Sequence, residues 1–202
     1  MLKKTRGLVC AGLAVLALAG CGSNSKTASV ATSTQAGTLA VDPPLRVASL
    51  TASAFAAELG ASPTGQQLLQ LAGTPACGVD FYYLKYWTTA PDGKPTEVSG
   101  AMMVPTGTGA QCSGARPIVL YAHGTTTVST YNIADITDTT NAANSESAMI
   151  AAVFAAQGYI VVAPNFEGYD ISNLGYHPYV DAAVNADDMM DALSAARTAL
   201  PH

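Results

Sequence analysis

The 202 residues carry nine basic and fourteen acidic side chains, a formal charge of −5, with 49% hydrophobic and 11% charged residues. Lys3, Lys4 and Arg6 stand at the N-terminus; without them six bases face fourteen acids, a balance of −8 (6 − 14). A surface so poor in cations argues against a nucleic-acid partner.

The first twenty residues read as a targeting segment: the three bases, an apolar stretch from Leu8 to Ala19, then Leu18-Ala19-Gly20-Cys21. That stretch is too short for a permanent transmembrane helix. Leu-Ala-Gly-Cys looks like a bacterial lipobox, in which Cys21 becomes the first mature residue and carries a lipid that anchors the chain to a membrane. The alternative is an ordinary secretory signal with a chance cysteine. Gly22 follows the cysteine, so nothing resembles an inner-membrane retention signal, and an exported, outer-membrane or cell-surface lipoprotein is expected. Residues 21–45, rich in Ser, Thr, Ala and Gly without apolar period, read as a flexible tether, and 46–202 as one domain. With Cys10 and Cys21 used by leader and lipid, Cys77 and Cys112 remain. In an exported protein such a pair most simply forms one disulfide, two unpaired buried thiols being the alternative.

Residues 51–59 and 64–72 read as two short helices, the first capped by Thr51 or Ser53, the second stopped by Gly73. The aromatic, roughly alternating 79–89, the turn Pro91-Asp92-Gly93-Lys94 and the run 96–104 read as a β-hairpin. Gly107, Gly109 and Gly114 join two strands without opening a helix, and no Gly-Lys-Ser/Thr follows, so they make a loop and not a phosphate cradle.

The run Arg116-Pro-Ile-Val-Leu-Tyr-Ala-His-Gly-Thr-Thr126 reads as a strand buried on both faces that stops at His123-Gly124. A polar stretch, 127–144, follows and is long enough to be a lid or binding loop. Its Asp135 and Asp138 match no EF-hand spacing and are read as solvated carboxylates. The segment 145–157 reads as a helix with Met149, Ile150, Val153 and Phe154 on its inner face and Gly158 as its stop; 159–163 is a second buried strand. Strand, helix and strand make a βαβ unit, which places 123–126 and 164–168 on one edge of the sheet, where open α/β folds carry their sites. The last helix, 180–200, would turn Val184, Leu193, Ala196 and Leu200 inward and leave Asp181, Asp187, Asp188 and Asp191 on a wet face.

His-Gly-Thr-Thr after a strand, Ala-Gln-Gly-Tyr-Ile-Val-Val-Ala-Pro-Asn at 156–165, Glu167-Gly168, Gly175-Tyr-His-Pro-Tyr179 and the Asp-rich helix together resemble the secreted lipase group of α/β-hydrolases, from about Gly73 onward. The resemblance implies the N-terminal half of an α/β-hydrolase fold, an antiparallel hairpin leading into a parallel sheet with flanking helices. It implies hydrolysis of carboxylic esters, with an ester or lipid as substrate and no metal or cofactor. It also makes the backbone N–H of Thr125, or of Thr126, an oxyanion donor, and places His123, Glu167 and His177 around the pocket, His123 holding the strand-end turn. Asn165 stands where the group commonly shows Asp.

Such chemistry needs a serine on a strand-to-helix elbow, a histidine base and an orienting acid. No Gly-x-Ser-x-Gly occurs, and the histidines number three, His123, His177 and the terminal His202. In the group's order the elbow strand would come next, so the chain reads as truncated before its nucleophile, with no catalytic residue of its own and an incomplete, poorly soluble sheet. The alternative is a non-catalytic, lipid-anchored binding module completed by a partner. A nucleophile at Ser145 or Ser147 is disfavoured, because helix capping explains both.

Overall fold

The computed structural model describes residues 33–200. The expected leader, the expected lipidation at Cys21, the first part of the expected tether and His202 lie outside the described residues. No helix among the described residues is long and apolar enough to cross a membrane.

Among the described residues five strands form one sheet in the order β1-β2-β3-β5-β4. The hairpin is its centre: β2 (Gly78–Thr89) and β3 (Pro95–Thr106) pair along their full length, closed by a turn in which Lys94 N–H reaches Asp92 Oδ1 at 3.1 Å. β1 (Leu45–Leu50) pairs antiparallel with β2, and β3 pairs antiparallel with β5 (Ile160–Pro164). β4 (Ile118–Leu120) runs parallel to β5 on the far side. Among the described residues four helices, α1 (Ala52–Gly60), α2 (Pro63–Ala72), α3 (Asn144–Val153) and α4 (Ala182–Ala199), flank the sheet.

Alternation along the strands assigns the two layers. Val79, Phe81, Ala101, Met103, Val161 and Ala163 meet Phe55, Leu59, Ile150 and Ala151 from α1 and α3. Leu84, Tyr86, Val98, Met102 and Val162 meet Ala192, Ala195 and Ala196 of α4. Thr51 caps α1, its Oγ1 accepting from Ala54 N–H at 3.1 Å. α2 is capped by Ser62, whose Oγ accepts from Gly65 N–H at 3.0 Å ahead of Pro63. The disulfide is present between Cys77 and Cys112, with Cα atoms 5.5 Å apart, and ties the start of β2 to the turn that precedes β4.

Several expectations are corrected. The tether was expected to run to residue 45, but Gly37 N–H donates to Trp87 O and Ala40 N–H to Lys85 O, both at 2.8 Å, and β1 begins at Leu45. The edge of β2 offers unpaired backbone groups there, and a chain of any composition can satisfy them. The strand at 116–126 was expected to be buried on both faces. Instead β4 is three residues long and half-buried, while β5 is buried throughout. Among the described residues β4 has a neighbour only on its β5 side, so β4, with β1 at the other end, is an edge of the sheet, while β5 lies inside it.

The inner face of α3 is Ser147, Ile150, Ala151 and Ala152, with Met149 and Phe154 packed at its margin. The helix breaks at Phe154, and a 3-10 turn carries the chain to Gly158, which lies at φ 104° with Gln111 O only 2.7 Å from where a Cβ would sit. Neither Ser145 nor Ser147 caps α3, whose N-cap position is Ala143 with no side-chain bond. Asp188 and Asp191 do not both face water: Asp188 is buried and bonded to Tyr86, and Asp191 is bonded to Thr88.

Candidate active edge

The ends of β4 and β5 stand side by side because the strands are parallel and in register from Ile118↔Ile160 to Leu120↔Val162. Beyond them both chains turn sharply, and the turns are held by side chains brought from elsewhere.

Asn165, the first residue past β5, is wholly buried. Its N–H donates to Ser99 O at 2.8 Å, and its Oδ1 accepts from Ile133 N–H at 2.8 Å. Its Nδ2 donates to Ser99 Oγ at 2.9 Å and to Asn132 Oδ1 at 3.2 Å. One amide thereby joins β3, β5 and the 127–144 loop, and the loop is packed against the sheet by Tyr131 and Ile133. Two donors and one acceptor are in use, a set that only an amide can supply.

His123 bridges the two turns, Nε2 lying 3.1 Å from Asn165 O and Nδ1 2.8 Å from Gly124 O. Its ring packs among Tyr131, Phe166 and Tyr169, at centroid distances of 4.5, 5.1 and 5.5 Å. This is a turn-holding role. Glu146, in the first turn of α3, secures the other side: Oε1 accepts from Tyr121 OH at 2.6 Å and Gly124 N–H at 3.3 Å, and Oε2 accepts from Tyr131 OH at 2.7 Å. Burial works against ionisation of Glu146, but the two hydroxyls, the Gly124 N–H and nearby His123 outweigh it and hold the carboxyl below its usual range. Burial, reinforced by these bonds to Glu146, pushes the Tyr121 and Tyr131 phenols up.

Past His123 the chain is fixed at Gly124 by Glu146 and at Thr126, whose C=O accepts from Tyr169 OH at 2.7 Å. Among the described residues neither the Thr125 nor the Thr126 N–H reaches an acceptor. The two residues border a cleft of about 440 Å³ between 125–127 and 175–179, with Gly168 and Tyr169 between them. His177 lines it; its Nδ1 lies 2.9 Å from Glu167 O, and Tyr169 stacks on its ring at 4.9 Å. Tyr179 OH comes within 3.4 Å of Thr125 Oγ1 across the mouth.

The β5 turn is tight enough to hold residues in unusual backbone. Phe166 lies at φ 65° and Asp170 at φ 51°. Asp170 is secured by Ser99 Oγ at 2.6 Å, by Tyr83 OH and through its own N–H to Ser129 O at 2.7 Å. At Gly168, φ 86°, a Cβ would meet Tyr176 C and His177 N at 2.4 Å. Gly168→Ala should therefore push the 175–179 wall away from the turn and lower stability by about 2 kcal/mol or more, from positive-φ strain and overlap together. Thermal unfolding of the variant measures it.

Of the residues expected at the site, Thr125, Thr126 and His177 come together on the cleft, and His123 lies behind it. Glu167 does not line the cleft: it is 1% exposed and buried near Asp188 of α4. Ser147 is fully buried, and Ser145 borders a separate groove of about 660 Å³ whose walls include no histidine. Neither is placed as a nucleophile. Glu146, Asn132 and Asp170 were missed. The signal for Glu146 was available, an acid in the first turn of the helix after a strand-end loop.

No family model matches the chain, and no curated protein matches it. Solved structures do. The rice cell wall degrading esterase LipA from Xanthomonas oryzae is 28% identical, in a mutant and in a ligand-bound form alike, with a TM-score of 0.65 over 81% of this chain and 38% of that one. A protein from Legionella pneumophila assigned as a hydrolase is 24% identical, with a TM-score of 0.58 over 76% of this chain and 38% of its own; it shows the fold alone. The chain thus spans well under half the length of the solved structures it matches. Its five-stranded sheet, antiparallel through the hairpin and parallel at β4 and β5 with helices on both faces, is a partial α/β-hydrolase fold, related in structure to an esterase.

Proposed function

We propose that this chain is the oxyanion side of a carboxylic-ester hydrolase acting on an ester or lipid, as the resemblance to secreted lipases implies. The serine nucleophile, base and acid would belong to the part of the fold that the chain does not span. The observation that carries the reading is the pair of unengaged backbone donors at Thr125 and Thr126, on a turn immobilised by Glu146 and Tyr169 at the mouth of a cleft. When a serine oxygen adds to an ester carbonyl, the C=O π electrons move onto oxygen. A donor already in place at that oxygen stabilises the tetrahedral intermediate without reorganisation, and losing one such donor typically costs about 10²–10³ in kcat. His177 and Tyr179 would contact the substrate from the opposite wall. Export and anchoring through Cys21 belong to the same proposal; the Cys77–Cys112 disulfide supports an oxidising compartment.

The product of the source reading frame, captured by an antibody against this chain, should be labelled by a fluorophosphonate and hydrolyse p-nitrophenyl butyrate. If it does neither, the hydrolase reading is wrong. A second reading, a lipid-anchored binding module completed by a partner, is favoured by the open edge of β4, which presents unpaired backbone groups to a further strand. A stable, monodisperse but unlabelled product would support it.

A further inference from the structure

α4 is seated on β2 and β5 by a stripe of small residues, Ala192, Ala195 and Ala196. Methyl groups bury little area each, so the seat has a narrow apolar margin. Beside this stripe lies Asp188, 1% exposed, whose Oδ1 accepts from Tyr86 OH at 2.5 Å; almost one turn further on, Asp191 Oδ2 accepts from Thr88 Oγ1 at 2.8 Å. Glu167, from the turn after β5, enters the same layer and is also 1% exposed. Both Glu167 carboxyl oxygens and Asp188 Oδ2 are buried without a hydrogen-bond partner among the described residues.

Among the described residues no salt bridge reaches either carboxyl. The charged groups whose fields reach Glu167 are Asp181, at the N-terminus of α4, and Asp92, in the β2–β3 turn. Those reaching Asp188 are Glu167 and Asp191, and Asp187 in turn acts on Asp191. The Tyr86 phenol faces the same carboxylates, and Lys94, the base nearest in sequence to Asp92, is paired with it at 2.5 Å. His177 meets Glu167 only at the backbone carbonyl. An ionised carboxylate in this layer is shut off from bulk solvent and faces other carboxylates, whereas a protonated one costs far less to bury. Burial, then Asp181 and Asp92, pushes Glu167 up to about 7. Burial likewise pushes Asp188 up to about 7 in spite of the Tyr86 bond.

We propose that Glu167 and Asp188 are a proton-held latch: with protons on these carboxyls α4 is seated on the sheet, and with both ionised it loosens together with the 168–181 segment that forms the His177 and Tyr179 wall of the cleft. The sign follows from proton counting. A carboxyl with a higher pKa in the seated form binds more protons seated than released, so the seated form loses ground as pH rises from about 4.5 through about 7, and levels off above. The latch rests on the packing of α4 and does not depend on the esterase reading.

Amide hydrogen exchange on the full chain at pH 5 and pH 8, corrected for intrinsic rates, tests it. Protection of 182–196 should fall at least about tenfold, one pKa unit of linkage being a factor of ten. The β2–β3 hairpin should change by less than about threefold on the same scale. Glu167→Gln and Asp188→Asn should each shrink the α4 ratio markedly, and if one fails to fold the other decides. Protection of α4 that ignores pH, or that falls in step with the hairpin, would overturn the latch. So would variants that keep the whole pH dependence, which would then belong to groups other than these two carboxyls.

Discussion

Replacing Cys77 and Cys112 together by alanine should lower unfolding stability by about 3–4 kcal/mol, the loop-closure entropy of a cross-link spanning 35 positions. For a domain of this size that is a fall of about 10 °C in Tm. The fold itself should survive, because the link is not alone at this junction. Ala156 O accepts from both Ala76 and Cys77 N–H at 2.9 Å, and Arg116 Nη1 donates to Cys112 O at 2.7 Å and Pro105 O at 2.6 Å. The start of β2 therefore keeps its seat beside the turn preceding β4. Urea unfolding of the wild type with and without dithiothreitol provides the check: the reduced wild type should match the double variant, and equal stability of all three forms would mean that the junction is already ordered in the unfolded chain.

Asn165→Asp is expected to cost about 3 kcal/mol, although it changes one atom. The two acceptors now served by Nδ2, Ser99 Oγ and Asn132 Oδ1, would face a carboxylate oxygen in a site without solvent. Ser99 cannot turn its proton to the newcomer without releasing Asp170 Oδ2, to which it donates at 2.6 Å. Buried acceptor against acceptor carries the desolvation penalty of each unpaired group. The residue that departs from the lipase group's usual aspartate is thus matched to its surroundings here, with Asn132 supplying the acceptor that makes an amide the better choice. Chemical denaturation of the variant measures the cost. A second substitution, Asn132→Asp with Asn165→Asp, should be worse still, and Ser99→Ala with Asn165→Asp should not restore the wild type.

The parts of this fold that were legible from the chain are those whose signal is local. The hairpin announced itself by alternation and by Pro91-Asp92-Gly93, and β5 by its unbroken apolar run, because each is decided by neighbours in sequence. β1 was hidden, since Leu45–Leu50 contains Arg46 and Ser49, and its pairing with β2 depends on a strand thirty residues away. The inward turn of Asp188 was hidden for the same reason. A hydrophobic period places aspartates outside, and only the folded sheet shows that Tyr86 and Thr88 offer hydroxyls to that face of α4. At the site, Thr125 and His123 were marked by the strand-end His-Gly-Thr-Thr. Glu146 carries a local mark, an acid in the first turn of α3, but the partners that it and Asn165 draw together come from distant segments, and no short motif encodes that convergence.

The most direct test is to sequence the source DNA beyond the codon for His202. The frame should continue, or resume after a single shift, into an apolar strand, then Gly-x-Ser-x-Gly, and further on an acid and a histidine. The new strand would lie against the open edge of β4. A stop with no such continuation in any frame would contradict ester hydrolysis for this product and leave the partner-completed module as its function.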